Sequence, residues 1–431
     1  MSNIYSSRDK VSALVANVPI PRMFRVRQRF SATTVEPEAI GPCLVEQLEV
    51  AAGGMELQGK RIALAVGSRG IANEPLIVRT LVGFLSQKGA QPFIVPSMGC
   101  HGGSTDKGQR QVLESLGITE QSVGCPIVSS METECIGFND EGGEVLIDRH
   151  AARADGIVLV ARIKPHTAFR GKYESGMMKM MAIGLAKQKG AERTHSEGVG
   201  RLARNVYLNG KATIALRPVL FAIGILENAY DQTAELHVVP AGEIEAREPE
   251  LLTRAFAYMP SILPGKADVL VVDKIGKNIS GEGMDPNITG RFILPQYASG
   301  GMDAQKVAIL DITQETHGNC HGICNADVIS QRVFNGADFE SFYINSITST
   351  VLTLARIPMV MKNHRECLQV CLRSCVGNDP NAPLLVRIQD TLHLEHILLS
   401  EGYLPMVREN ASFEIESEPF DMVFDENGDL F

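Results

Sequence analysis

The feature that most constrains this chain is an apolar run that ends in a polar loop, hands over to an amphipathic helix, and then does so again. Residues 61–66 read RIALAV, stop at the turn Gly67-Ser68-Arg69-Gly70, and lead into a helical pattern over residues 74–88 that Gly89 closes. Residues 91–97, QPFIVPS, repeat the unit, with the loop Met98-Gly99-Cys100-His101-Gly102-Gly103-Ser104-Thr105 and a helix over residues 106–116. A third run, DGIVLVARI at residues 155–163, feeds Lys164-Pro165-His166 and a helical stretch at residues 175–189. Strands alternating with helices are the mark of a parallel sheet, so the expected class is α/β. In open sheets of this kind, ligands sit beyond the carboxyl ends of the strands, where helix N-termini and loop amides converge. Arg69, His101 and His166 each follow such an end, and they meet in one crevice if the strands are neighbours.

The pattern continues. A helix is expected over residues 243–257, a linker with Pro260, Pro264 and Gly265 over residues 259–266, and a new strand at residues 267–275. Strands at residues 306–312 and 383–389 and helices at residues 338–355 and 363–375 complete the reading. The expected organisation is an N-terminal α/β domain of residues 1–262 and a smaller C-terminal α/β domain of residues 267–405. Both have mainly parallel sheets, with the active site in the cleft between them. A tail of residues 406–431 is expected to dock through Phe413, Phe420, Met422 and Phe424.

Length and composition narrow the class further. At roughly 150 residues per domain, 431 residues leave room for two or three cores, and 44% hydrophobic with 21% charged residues excludes disordered and fibrous chains. A net charge of −9 provides no basic field for nucleic acid or an anionic bilayer, so neither partner is expected. The first residues lack the unbroken apolar stretch of a signal peptide, and the longest apolar region, residues 213–226, is broken by Arg217 and Pro218. Nine cysteines, an odd number, suit free thiols in a reducing compartment, and the chain is read as cytoplasmic.

Several residues have two readings each. Gly67, Ser68 and Gly70 either cradle an anion on their amides or make an ordinary turn, and Arg69 favours the anion because a guanidinium captures a carboxylate or phosphate in bidentate fashion. His101 and His166 are acid/base or ligand candidates, or else structural histidines. Lys179 has Ala182, Ile183 and Ala186 at helical spacing, so its amine emerges from a small apolar face that favours the neutral, nucleophilic form; the other reading is a stem along the core with its head in water. Sixteen residues later comes His195. His317, Cys320, His321 and Cys324 have zinc-like spacing without a second pair to close a site, and a glycine-rich catalytic or domain-contact loop is the favoured reading. Cys367, Cys371 and Cys375 share a helix face and read as core.

Taken together, Arg69 after the first strand, GCH at residues 99–101, the KPH run ending at Lys179, and His195 sixteen positions on resemble the lactate racemase family. GMDPN at residues 283–287 resembles a loop of that family more loosely. The resemblance implies a racemase or epimerase of a 2-hydroxy acid that uses a nickel-pincer nucleotide, working by hydride transfer to the cofactor and return to the opposite face of a 2-keto species. It implies Lys179 as the covalent tether, His195 as the nickel ligand, and Gly67, Ser68 and Gly70 beside the cofactor. His101 and His166 would be the acid/base pair, one for each stereoisomer, and Arg69 with Arg291 would hold the substrate. Cofactor-making enzymes are the implied partners. Val66 stands where the family often has an acid, the gap from His166 to Lys179 is longer than in the lactate enzymes, and Gly290 and Ile293 stand where Gln and Lys are expected. A larger or more polar 2-hydroxy acid than lactate, such as a sugar acid, is therefore the expected substrate. The competing readings are a zinc-dependent hydrolase built on His101, His166 and His195, and a non-catalytic protein that sequesters a nucleotide or nickel cofactor.

Overall fold

The computed structural model describes residues 9–431. Two compact units are present: Ser31–Met259, and the described residues before Ser31 together with Pro260–Phe431. Both are α/β with mostly parallel sheets.

The larger sheet of the first unit has five strands in the order Gln91–Pro96, Arg61–Val66, Gly156–Arg162, Val219–Glu227 and Thr233–Pro240. The first four run parallel and the last is antiparallel. The three strands legible in the sequence are therefore neighbours, with Ala63 opposite Phe93 on one side and Ile157 on the other. Both faces of the sheet are covered, which is why Arg61–Val66 is an unbroken apolar run. Ala63 and Ala65 pack in the core of Met177, Met181 and Val206, whereas Ile62, Leu64 and Val66 pack with Ile77, Leu81 and Leu85.

The helix expected over residues 175–189 is divided. Met177–Lys179 forms a single helical turn, and Met180–Gly184 widens into a π turn closed by the Leu185 N–H donating to the Met180 carbonyl. Lys187–His195 then starts afresh, with Lys187 in the left-handed region at φ 55°. Neighbours assigned to Lys179 by regular helical spacing therefore hold only for the first turn. Wide turns of this kind recur at functional sites.

In the second unit an eight-stranded sheet runs Met359–Met361, Val328–Ser330, Asp303–Ile312, Lys266–Ile275, Leu385–Ile388, His396–Ser400, Met23–Gln28 and Phe413–Ile415. The first five are parallel and the rest antiparallel. The expectation of one domain over residues 1–262 differs from this division at its start, and its residues 1–8 lie outside the described residues. Met23–Gln28 pairs with His396–Ser400, Phe24 opposite Leu399, and burial of Met23, Phe24 and Val26 ties the chain's start to this sheet. The helix expected over residues 338–355 also ends early, as Phe339–Thr348, because Thr350 takes φ 60° before the short turn Leu352–Ala355. Cys367 and Cys371 are core residues on His364–Ser374, and Cys375 follows that helix. In the tail, Phe413 is buried and Met422 and Phe424 pack on the core around Met23 and Leu368. No helix among the described residues is long and apolar enough to cross a membrane.

Candidate active site

Three adjacent strand ends place three loops side by side. Ser68 of the first loop hydrogen-bonds His101 Nδ1 of the second, and the Gly99 N–H of the second donates to the Gly184 carbonyl, in the π turn after Lys179, at 3.2 Å. Gly184 must be glycine here, because a Cβ would stand 2.7 Å from the Ser97 carbonyl oxygen.

The His101 loop is held from behind by groups that the sequence did not flag. Gln109 Nε2 donates to the carbonyls of Gly99, at 2.9 Å, and His101, at 3.4 Å. The fully buried Lys187 ammonium donates in turn to Gln109 Oε1 at 3.1 Å and to the Pro96 carbonyl, and pairs with buried Asp148 at 3.3 Å. A buried ammonium with three oxygen partners is a satisfied structural cation.

The third loop is organised by Glu174. Its carboxylate accepts from the His166 N–H at 2.7 Å and the Gly171 N–H at 3.2 Å, and lies 3.4 Å from Arg170. Arg170 also donates to the His166 carbonyl, and the Ala168 N–H donates to His166 Nδ1 at 3.0 Å. The His166 ring packs on Phe169, with centroids 4.2 Å apart. Lys164 and Ser175 bridge the base of the loop with two backbone hydrogen bonds, and Lys179 Nζ donates to Ser175 Oγ at 3.4 Å. Glu248, buried on the helix Ile244–Tyr258, accepts from the Met178 N–H at 2.9 Å and so caps the turn that carries Lys179. An acid 70 residues away in sequence gives no local signal of that role.

Electrostatics gathers these residues. Burial, reinforced by the Arg69 and Lys164 charges, pushes the Lys179 ammonium down to about 7. Burial and then the charges of Lys179, His195, Lys164 and Arg170 hold His166 well below the ordinary imidazole value. His195 is lowered by desolvation and by Lys179, and its Nδ1 lies 2.6 Å from the Ala191 carbonyl oxygen. Arg69, His166, Lys179 and His195 thus form one electropositive cluster, and Ser68 joins His101 to the Arg69 loop. Arg291 lies in the other unit, where its guanidinium is 2.9 Å from Asp327 and donates to the carbonyls of Ala304 and Gln305.

The chain belongs to the family described as a domain of unknown function, DUF362. The family model matches residues 65–290, just over half of the chain. The chain is also similar to the lactate racemase apoprotein from Thermoanaerobacterium thermosaccharolyticum, with 15% identity and a TM-score of 0.45 over 78% of this chain and 82% of that one. No curated protein matches it.

The geometry does not favour the zinc-site reading. Among the described residues, no three His, Cys, Asp or Glu side chains are grouped to hold a metal, so His101, His166 and His195 do not form a three-histidine site. Nor do His317, Cys320, His321 and Cys324. His321 Nε2 is instead 3.0 Å from Glu282, and burial pushes the Cys320 thiol up to about 11 and the Cys324 thiol up to about 12. Gly283 and Gly322 pack these loops backbone against backbone.

Proposed function

We propose that this chain is a nickel-pincer nucleotide-dependent racemase or epimerase of a 2-hydroxy acid. The observation that carries the reading is the pairing of a near-neutral amine, Lys179, with an imidazole whose Nδ1 is engaged by a backbone carbonyl. A carbonyl oxygen only accepts, so His195 Nδ1 carries the ring proton and Nε2 presents a lone pair, the arrangement of a metal-ligating histidine. One protein ligand alone does not hold nickel, but it suits a group that brings its own sulfur and carbon donors. The chemistry present therefore fits the cofactor: Lys179 would tether it, His195 would ligate its metal, and the Gly67, Ser68 and Gly70 amides would flank it. When bound, such a group supplies reversible hydride acceptance, which spares the protein a carbanion beside a carboxylate.

The chain's own residues do the rest. Arg69, exposed at its strand end, pairs with the substrate carboxylate through a fork of two N–H donors. His101 takes the proton of the 2-hydroxyl and returns it, while Ser68 steadies the ring. His166 contacts the same oxygen from the third loop. The electropositive cluster favours anions, and a polar 2-hydroxy acid such as a sugar acid is the substrate class. To test the reading, the chain is co-produced with cofactor-making enzymes, its nickel is quantified, and a panel of 2-hydroxy acids is followed by chiral separation. Stoichiometric nickel with interconversion of one stereochemical pair supports it. Nickel without turnover across the panel favours a cofactor-sequestering protein.

A further inference from the structure

His101, His166 and His195 are held by partners of different kinds, and for His166 and His195 the partner dictates where the ring keeps its proton. A backbone N–H can only donate. With the Ala168 N–H at 3.0 Å, His166 Nδ1 must present its lone pair, and the neutral ring carries its proton on Nε2. His195 is the opposite, with its proton on Nδ1 facing the Ala191 carbonyl. His101 Nδ1 faces the Ser68 hydroxyl, which can donate or accept. His101 can therefore gain and lose a proton at its far nitrogen while keeping its partner, because the hydroxyl turns to suit. His166 cannot gain one at Nδ1 without breaking its bond to Ala168. Its ring is also fixed: Glu174 and Arg170 clamp its backbone on both sides, and Phe169 backs its face.

We propose that His166 is a neutral hydrogen-bond donor to the C2 oxygen of the substrate, and that His101 alone of the two transfers the proton. This rests on the 2-hydroxy acid reading given above. In the proton step, the O–H bond breaks, its electron pair stays on oxygen, and the proton goes to the ring nitrogen of His101, which becomes imidazolium. The Nε2–H of His166 stabilises the charge gathering on that oxygen and keeps its own proton. The two stereoisomers are consequently handled unequally. The hydroxyl that faces His101 gives its proton to imidazole; the oxygen that faces His166 takes a proton from water, and the hydroxide left takes the proton from the His101 imidazolium, so each inversion ends with both rings neutral.

The first test needs neither cofactor nor turnover. In the full chain labelled with 15N-histidine, the ring nitrogens of His166, assigned by difference from His166→Gln, are read by NMR at neutral pH. The expected result is a protonated Nε2 and an unprotonated Nδ1; a proton on Nδ1, or on both nitrogens, overturns the proposal. The second test uses the loaded enzyme. Glutamine can donate a hydrogen bond but cannot carry a proton across, so His166→Gln is expected to keep turnover within about tenfold of the parent. His101→Gln is expected to lose about 10³-fold, in the range set by general acid–base catalysis. Equal losses in the two variants overturn the donor role. If no 2-hydroxy acid is turned over by the parent, the functional reading fails, while the NMR result still decides the tautomer.

Discussion

Lys179 shows what one side chain gains from being set among cations and apolar groups. An ordinary lysine amine is almost wholly protonated at neutral pH, but one pushed down to about 7 is roughly half neutral there, and only the neutral form attacks an acyl carbon. Because the folded-state value is lowered, the neutral fraction rises with pH through about 7 and is nearly complete by about 9. The expected outcome is that Lys179 reacts with a general amine-acylating reagent at a rate that levels off above about pH 8. A free lysine amine, added as a small-molecule reference, should keep accelerating toward pH 10. Peptide-resolved mass spectrometry across a pH series checks this, and a Lys179 profile parallel to that of the free amine contradicts it.

At the scale of elements, the His101 loop is only as well placed as the buried tie behind it. Lys187 joins the Pro96 carbonyl, Gln109 and Asp148, and Gln109 passes that anchorage to the His101 loop. Lys187→Met keeps the volume but leaves Asp148 buried without its counter-charge, so a stability loss of about 3–5 kcal/mol is expected. Denaturant unfolding measures it, and a loss below 1 kcal/mol would show that the tie is not structural. This is also the scale at which sequence reading succeeded and failed. The three strands and their loops were legible because a strand buried on both faces is an unbroken apolar run, and Arg69, His101 and His166 stood where such runs stop. The break between Lys179 and His195 was not legible, since apolar spacing does not report a π turn or the positive φ of Lys187. Glu174 and Glu248 were missed because each acts on backbone N–H groups, which any sequence possesses.

Across the whole molecule, the strand Met23–Gln28 belongs to a sheet whose other members come after Pro260, and no local pattern announces a partner some 370 residues away. Met23, Phe24 and Val26 are fully buried there, each contributing roughly 1.5–3 kcal/mol, an upper bound because unfolded chains are already partly collapsed. Together they rival the stability of a typical domain. Deleting residues 1–30 is thus expected to lower or abolish the calorimetric transition of the unit containing Pro260–Phe431. The unit Ser31–Met259 has cores of its own on both faces of its sheet and should melt as before. A single unshifted melting profile would contradict the assignment of the N-terminal strand.

The central claim is that one amine anchors a nickel-holding nucleotide beside His195. Its most direct test is intact-mass and peptide-mapping spectrometry of the chain co-produced with cofactor-making enzymes, with nickel counted in the same sample. The account predicts a mass gain mapped to Lys179 and about one nickel per chain, both lost in Lys179→Ala while the variant stays folded. An adduct that persists in Lys179→Ala, or maps to another residue, contradicts it.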